Sequence, residues 1–164
     1  AGRSWTTGRP PAHAAPPPVR PARPRVQSSR EQRVVLAVRV VAEAARDDLA
    51  GLGAMLAHAV KLTGDGGGKA PALARSLHGR HRVALTLINW FRLAARLPGV
   101  SVRLVEVNGG SGALLLDGDE RLLGVCVLEI AGGQIVGISS IVNPDKLTHL
   151  GPVADLNSLL RSAR

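Results

Sequence analysis

Apolar residues recur every three or four positions from Val83 to Leu97 and every second position from Val100 onward, with Pro98-Gly99 at the change. That switch of period restricts the architectures open to the chain. Val83, Leu87, Trp90, Phe91, Ala94 and Leu97 fall on one face of a helix that begins after Gly79, and Pro98-Gly99 ends it. Beyond it Val100, Val102 and Leu104 alternate with Ser101 and Arg103. Asn108-Gly109-Gly110 turns the chain into Ala113 to Leu116, Asp117-Gly118 is a hairpin signal before Leu122 to Ile130, and Gly132-Gly133 turns it into Ile135 to Val142. The pattern predicts a four-strand antiparallel meander. Helices followed by a sheet is an α+β order, in which a twisted sheet curls around the long helix and leaves an apolar pocket.

Ahead of the long helix, Ser28-Ser29-Arg30-Glu31 has the spacing of a capping box opening a first helix. Val34, Val38, Val41 and Ala45 are its expected inner face. Asp47-Asp48 suits the positive end of a second helix carrying Leu49, Leu52 and Leu56, so a helical hairpin is predicted. Ala59 to Thr63 reads as a short strand, and Gly64 to Gly68 stops regular structure. Residues 1–27 hold seven of the eleven prolines and no periodic apolar face, so they are expected to form a disordered linker or remnant before one domain at 28–164.

A net charge of +9 invites a nucleic-acid partner, but its location argues otherwise. Residues 1–30 carry six arginines and no acid, leaving 15 basic against 12 acidic residues in the remainder. Tyrosine is absent and aromatic residues make up 2% of the chain, too few to stack bases, so no sequence-specific DNA contact is expected. Cys126 is the one cysteine, which excludes an internal disulfide and a clustered-cysteine metal site. There is no apolar run of membrane-spanning length and no secretory signal, so a cytoplasmic protein without a membrane partner is expected.

Gly64-Asp65-Gly66-Gly67-Gly68-Lys69 superficially suggests a phosphate cradle. Its spacing fails, because three residues rather than four precede the final Gly-Lys and Ala70 stands where magnesium needs Ser or Thr. A flexible turn would explain the glycines but neither Asp65 nor Lys69. A second segment, Asn143-Pro144-Asp145-Lys146-Leu147, follows the last strand about 75 residues later. Together, Asp-Gly-Gly-Gly-Lys and Asn-Pro-Asp-Lys-Leu resemble the C-terminal extension of a SigJ-like group of extracytoplasmic-function sigma factors. Arg23-Pro24-Arg25 with Ser29-Arg30-Glu31 is similar to that family's junction after the promoter-reading helices, and Gly79-Arg80 with Arg82-Val83-Ala84 to the start of its long helix.

The resemblance implies the cone-like fold of nuclear transport factor two and the polyketide cyclase SnoaL. It also implies a regulatory role: the extension packs on the promoter-reading sigma domains and their linker, and through them acts on core RNA polymerase. Asp65, Gly66, Gly67, Gly68 and Lys69 would be one contact, and Asn143, Pro144, Asp145, Lys146 and Leu147 a second. Residues 1–22 do not resemble the promoter-reading domains themselves. The alternative is a stand-alone SnoaL-like small-molecule binder, isomerase or cyclase. Such an enzyme needs a pocket acid or base. His58, His78, His81 and His149 form no evident dyad, which leaves Glu106 and Glu129 as strand carboxylates able to face the pocket. No catalytic, cofactor-binding or metal-ligating residue is assigned. A small apolar ligand could occupy the pocket, and an open sheet face could pair in a homodimer.

Overall fold

The computed structural model describes residues 28–163, so the predicted linker at 1–27 lies outside it. Helix α1 (Arg30–Ala45) opens on a capping box formed by Ser29 and Gln32, one residue later than expected. The Ser29 hydroxyl accepts from the Gln32 backbone N–H at 3.2 Å, and Gln32 Oε1 accepts from that of Ser29 at 2.9 Å. Ser28 is instead buried, its carbonyl accepting from Arg33 Nη1 at 2.7 Å. The inner face is also rotated from the predicted one. Ala37, Val40 and Ala44 are buried, whereas Val34 and Val38 are each 48% exposed. Two alanines on the inner stripe allow a closer approach than valines would, since interaxial distance follows side-chain size at the contact.

Asp48 caps α2 (Leu49–Met55) by accepting from the Gly51 N–H at 2.8 Å. Leu56, expected on that helix, instead opens β1 (Leu56–Asp65), a strand of ten residues that overruns the predicted Ala59 to Thr63 at both ends. Buried Val60 and Leu62 alternate there with exposed Lys61, the pattern of a strand with one face on a core. After β2 (Leu77–His78), α3 (Arg80–Ala94) is fastened at its start by Arg80 Nε, which donates to the Leu56 carbonyl at 2.9 Å.

The predicted meander is present as β3 (Ser101–Val107), β4 (Gly110–Leu116), β5 (Leu122–Ala131) and β6 (Gln134–Ile141). Asn108 and Gly109 both adopt positive φ, 49° and 76°, as a tight hairpin turn between right-twisted strands demands. The six strands lie in the order β2-β1-β6-β5-β4-β3. The α+β architecture stands, with one refinement: β1 runs parallel to β6, so the sheet is mixed rather than wholly antiparallel.

Helices α1 to α3 cover one face of the sheet, burying Leu52, Leu56, Leu62, Val83, Leu87 and Ile138. On the other face Leu116, Leu122 and Val125 receive Leu147 from the short α4 (Pro144–Leu147). The chain then returns to β5, where Leu122 exchanges backbone hydrogen bonds with Pro152 and Ala154, and closes with α5 (Leu156–Ser162).

The β4–β5 turn rests on Asp117, 4% exposed, whose carboxylate accepts from the backbone N–H groups of Asp119 and Arg121 and from Arg121 Nε at 2.8–3.0 Å. Burial pushes its pKa up, but the hydrogen bonds from Arg121 and Asp119 outweigh it and leave the carboxyl below its ordinary range. Its stabilising contribution is therefore complete above that range and lost on acidification through the folded value. Asp117→Ala should lower stability by about 1–3 kcal/mol, because it orphans donors in the turn. A urea midpoint unchanged at neutral pH would contradict this role.

Candidate functional site

Because β1 and β6 are parallel, with Asp65 opposite Ile141, the segments that follow them leave the same end of the sheet side by side. The Val142 N–H donates to the Asp65 carbonyl at 2.8 Å, extending the pairing to the last residue before Asn143. The two motifs thereby meet. Lys146 Nζ donates to Asp65 Oδ2, and Lys69 Nζ donates to both carboxylate oxygens of Asp145 at 2.7 and 2.8 Å. Each motif thus supplies one acid and one base, and the ion pairs cross between them.

Asn143 stands at the centre, 8% exposed. Its Oδ1 caps α4 by accepting from the Asp145 N–H at 3.1 Å, while its Nδ2 lies 3.4 Å from Asp65 Oδ1. The glycine loop is a built turn rather than a loose one. Gly66 is buried with its carbonyl accepting from the N–H groups of Lys69 and Ala70, and a Cβ on it would lie 2.1 Å from the Ala70 carbonyl oxygen. Gly67 has φ +58°, and a Cβ there would lie 2.4 Å from the Asn143 amide. Gly68, at φ +70°, is exposed with open space around it.

The hydrogen bond from Lys146 is the main cause holding the Asp65 carboxyl below its ordinary range; partial burial opposes it, and Gly67 N–H and Asn143 assist. The Asp65 contacts are accordingly intact above the ordinary carboxylate range and fail as pH falls through the lowered value. Both ion pairs remain solvent-accessible, so they add little to stability.

Of the ten residues singled out from the sequence, Asp65, Gly67, Lys69, Asn143, Asp145 and Lys146 converge directly. Pro144 starts α4, where its missing N–H costs nothing. Leu147 does not face outward: at 1% exposure it anchors α4 in the core of the far sheet face. Asn157 was not foreseen. Its Nδ2 donates to the Lys69 carbonyl at 2.7 Å, tying α5 to the cluster, and no local pattern in the sequence signals such a contact.

Between the helices and the sheet lies an apolar cavity of about 120 Å³, walled by Val40, Trp90, Phe91, Leu104, Cys126 and Leu128 among others. Among the described residues, no carboxylate, imidazole or hydroxyl belongs to its lining. Glu106 lies outside it, at a neighbouring groove where it pairs with Arg30 at 3.0 Å. Glu129 follows Leu128 on β5 and therefore points away from the cavity. His58, His78, His81 and His149 are all exposed. Burial pushes the Cys126 thiol up, against a hydrogen bond with Ser140 that lowers it.

The helices, the curved mixed sheet and the cavity between them make an α+β fold of the cone-like class expected from the sequence, that of NTF2-like and SnoaL-like proteins. Among solved structures, the chain is similar to the extracytoplasmic-function sigma factor SigJ of Mycobacterium tuberculosis, at 26% identity and a TM-score of 0.58, over 71% of this chain and 44% of that one. It thus spans less than half the length of that sigma factor. A de novo designed protein with a curved β-sheet matches at 16% identity and a TM-score of 0.52, over 83% of this chain and 97% of the design. An NTF2-like protein of unknown function from Mesorhizobium loti shows 18% identity and a TM-score of 0.49, over 71% and 96% of the two chains. No protein-family model and no curated protein sequence matches the chain.

Proposed function

We propose that this chain is the regulatory domain of an extracytoplasmic-function sigma factor, whose cross-paired cluster docks on the promoter-reading domains and their linker and so tunes initiation by cytoplasmic RNA polymerase. The observation that carries this reading is the convergence of Asp65–Lys69 and Asn143–Lys146 at one exposed site, in a chain 26% identical to SigJ over the matched region. Four charges presented on a turn and a capped helix form a directional surface for polar partners, in which two internal ion pairs can be exchanged for intermolecular ones at modest cost.

A charge swap in the intact sigma factor tests it. Lys69→Asp should change transcription from the factor's own promoter about tenfold, the scale of one lost interfacial charge contact. The double variant K69D/D145K restores the internal pair with its polarity reversed. It should match the parent's thermal stability without regaining normal output; restored output would reduce the pair to a structural role.

The alternative, a stand-alone SnoaL-like protein, is favoured on one side only. The apolar cavity suits a small-molecule binder, whereas an isomerase or cyclase would need an acid or base that its lining does not supply.

A further inference from the structure

A second apolar chamber, about 330 Å³, lies past Trp90 toward the C-terminal end of α3. Trp90, Ala94, Leu115 and Cys126 line both chambers, so these residues form a shared partition. The outer wall of the second chamber is Leu73, from the segment that follows the glycine loop, together with Leu156 and Leu160 of α5. Its polar lining side chains are confined to the partition and to Ser140, which hydrogen-bonds Cys126.

Protein interiors are ordinarily packed to crystal-like density, whereas both chambers open to solvent along part of their rim and leave apolar lining without packing partners. Chambers of roughly 300–1,000 Å³ are instead the dimensions of ligand sites. Among the described residues no charged side chain belongs to either lining, which sets the ligand class, because a charge buried there would find no partner. The wall at α5 is weakly held. None of its residues is fully buried, and the side-chain hydrogen bond that fastens it to the glycine loop is Asn157 to the Lys69 carbonyl. Segments with few buried contacts open most readily.

The geometry points to one binding site spanning both chambers, for an elongated, uncharged, largely hydrocarbon molecule, with α5 as its lid. The lid lies against the charged cluster through Asn157, and the chain leaving Lys69 runs within four residues into the wall at Leu73. Occupancy would bias the position of both. This coupling rests on the regulatory reading above; the binding site does not.

The uncharged fluorophore N-phenyl-1-naphthylamine, titrated into the full chain, probes the site. Saturable fluorescence enhancement with one molecule per chain is expected, along with slower alkylation of Cys126 by N-ethylmaleimide when the probe is bound. Ala94→Leu, which fills the partition, should weaken binding about tenfold, and Leu160→Ala, which removes part of the lid, should raise the dissociation rate about as much. Circular dichroism checks that each variant is folded, and Leu160 on the weakly buried α5 serves where Ala94→Leu does not fold. Absence of saturable binding would overturn the site. So would a folded Leu160→Ala with unchanged affinity and dissociation, which would confine the probe to the first chamber. Neither result bears on the charge-swap outcome in transcription, so the two readings fail separately.

Discussion

Gly67→Val should break the charged cluster while leaving the sheet in place. The position has φ +58° and a Cβ would lie 2.4 Å from the buried Asn143 amide, so the substitution combines a disfavoured backbone region with a steric collision. The left-handed conformation costs a β-branched residue roughly 1–2 kcal/mol and the overlap about 1–3 more. The loop should relieve both by moving, which separates Lys69 from Asp145 and Asp65 from Asn143. Hydrogen exchange at the Lys69 and Ala70 amides, which donate to the Gly66 carbonyl, reports this directly. Gly68→Ala is the control: it shares the positive φ at +70° but has open space around it, and should cost only about 1 kcal/mol. Equal protection of those amides in Gly67→Val and the parent would refute the account of the turn.

Leu62→Ala should have the largest effect on stability, about 2–5 kcal/mol, because the residue is fully buried and its neighbours can collapse only partly into the cavity. It pairs with Ile138 across the parallel β1–β6 junction, so the loss falls on the contact that aligns the two motif-bearing strands. Urea unfolding should show a lower midpoint at unchanged slope. A loss under about 1 kcal/mol would mean that the helix-facing core depends little on β1.

The parts of this fold that are legible in the sequence are those written in local periodicity and turn chemistry. The meander follows from period-two alternation punctuated by Asn108-Gly109 and Gly132-Gly133, and the long helix from a stripe ending before Pro98-Gly99. Failures occur where tertiary packing chooses between locally equivalent options. In α1 two apolar stripes compete, and closeness of approach selects Ala37-Val40-Ala44 over the more hydrophobic valines. Leu56 can extend a helix or begin a strand, and its pairing with Ile135 decides for the strand.

The candidate site shows the same division. Two motifs of complementary charge are visible in the chain, but their crossed pairing, Asp65 with Lys146 and Lys69 with Asp145, depends on the parallel alignment of β1 with β6. Nothing near either motif encodes that alignment. The inward turn of Leu147 is likewise a property of the far sheet face, and the role of Asn157 depends on where α5 comes to rest.

The parallel pairing also orders events in time. Asp65 and Lys146 are 81 positions apart, and the strand that aligns them, β6, is the last of the sheet to be synthesised. During translation the glycine loop therefore emerges well before its complement, and contacts of such long sequence separation form late. A ribosome-bound chain ending short of Asp145 would carry Asp65 and Lys69 without either cross-pair, exposing the two charges singly. The cluster thus distinguishes a finished domain from a nascent one.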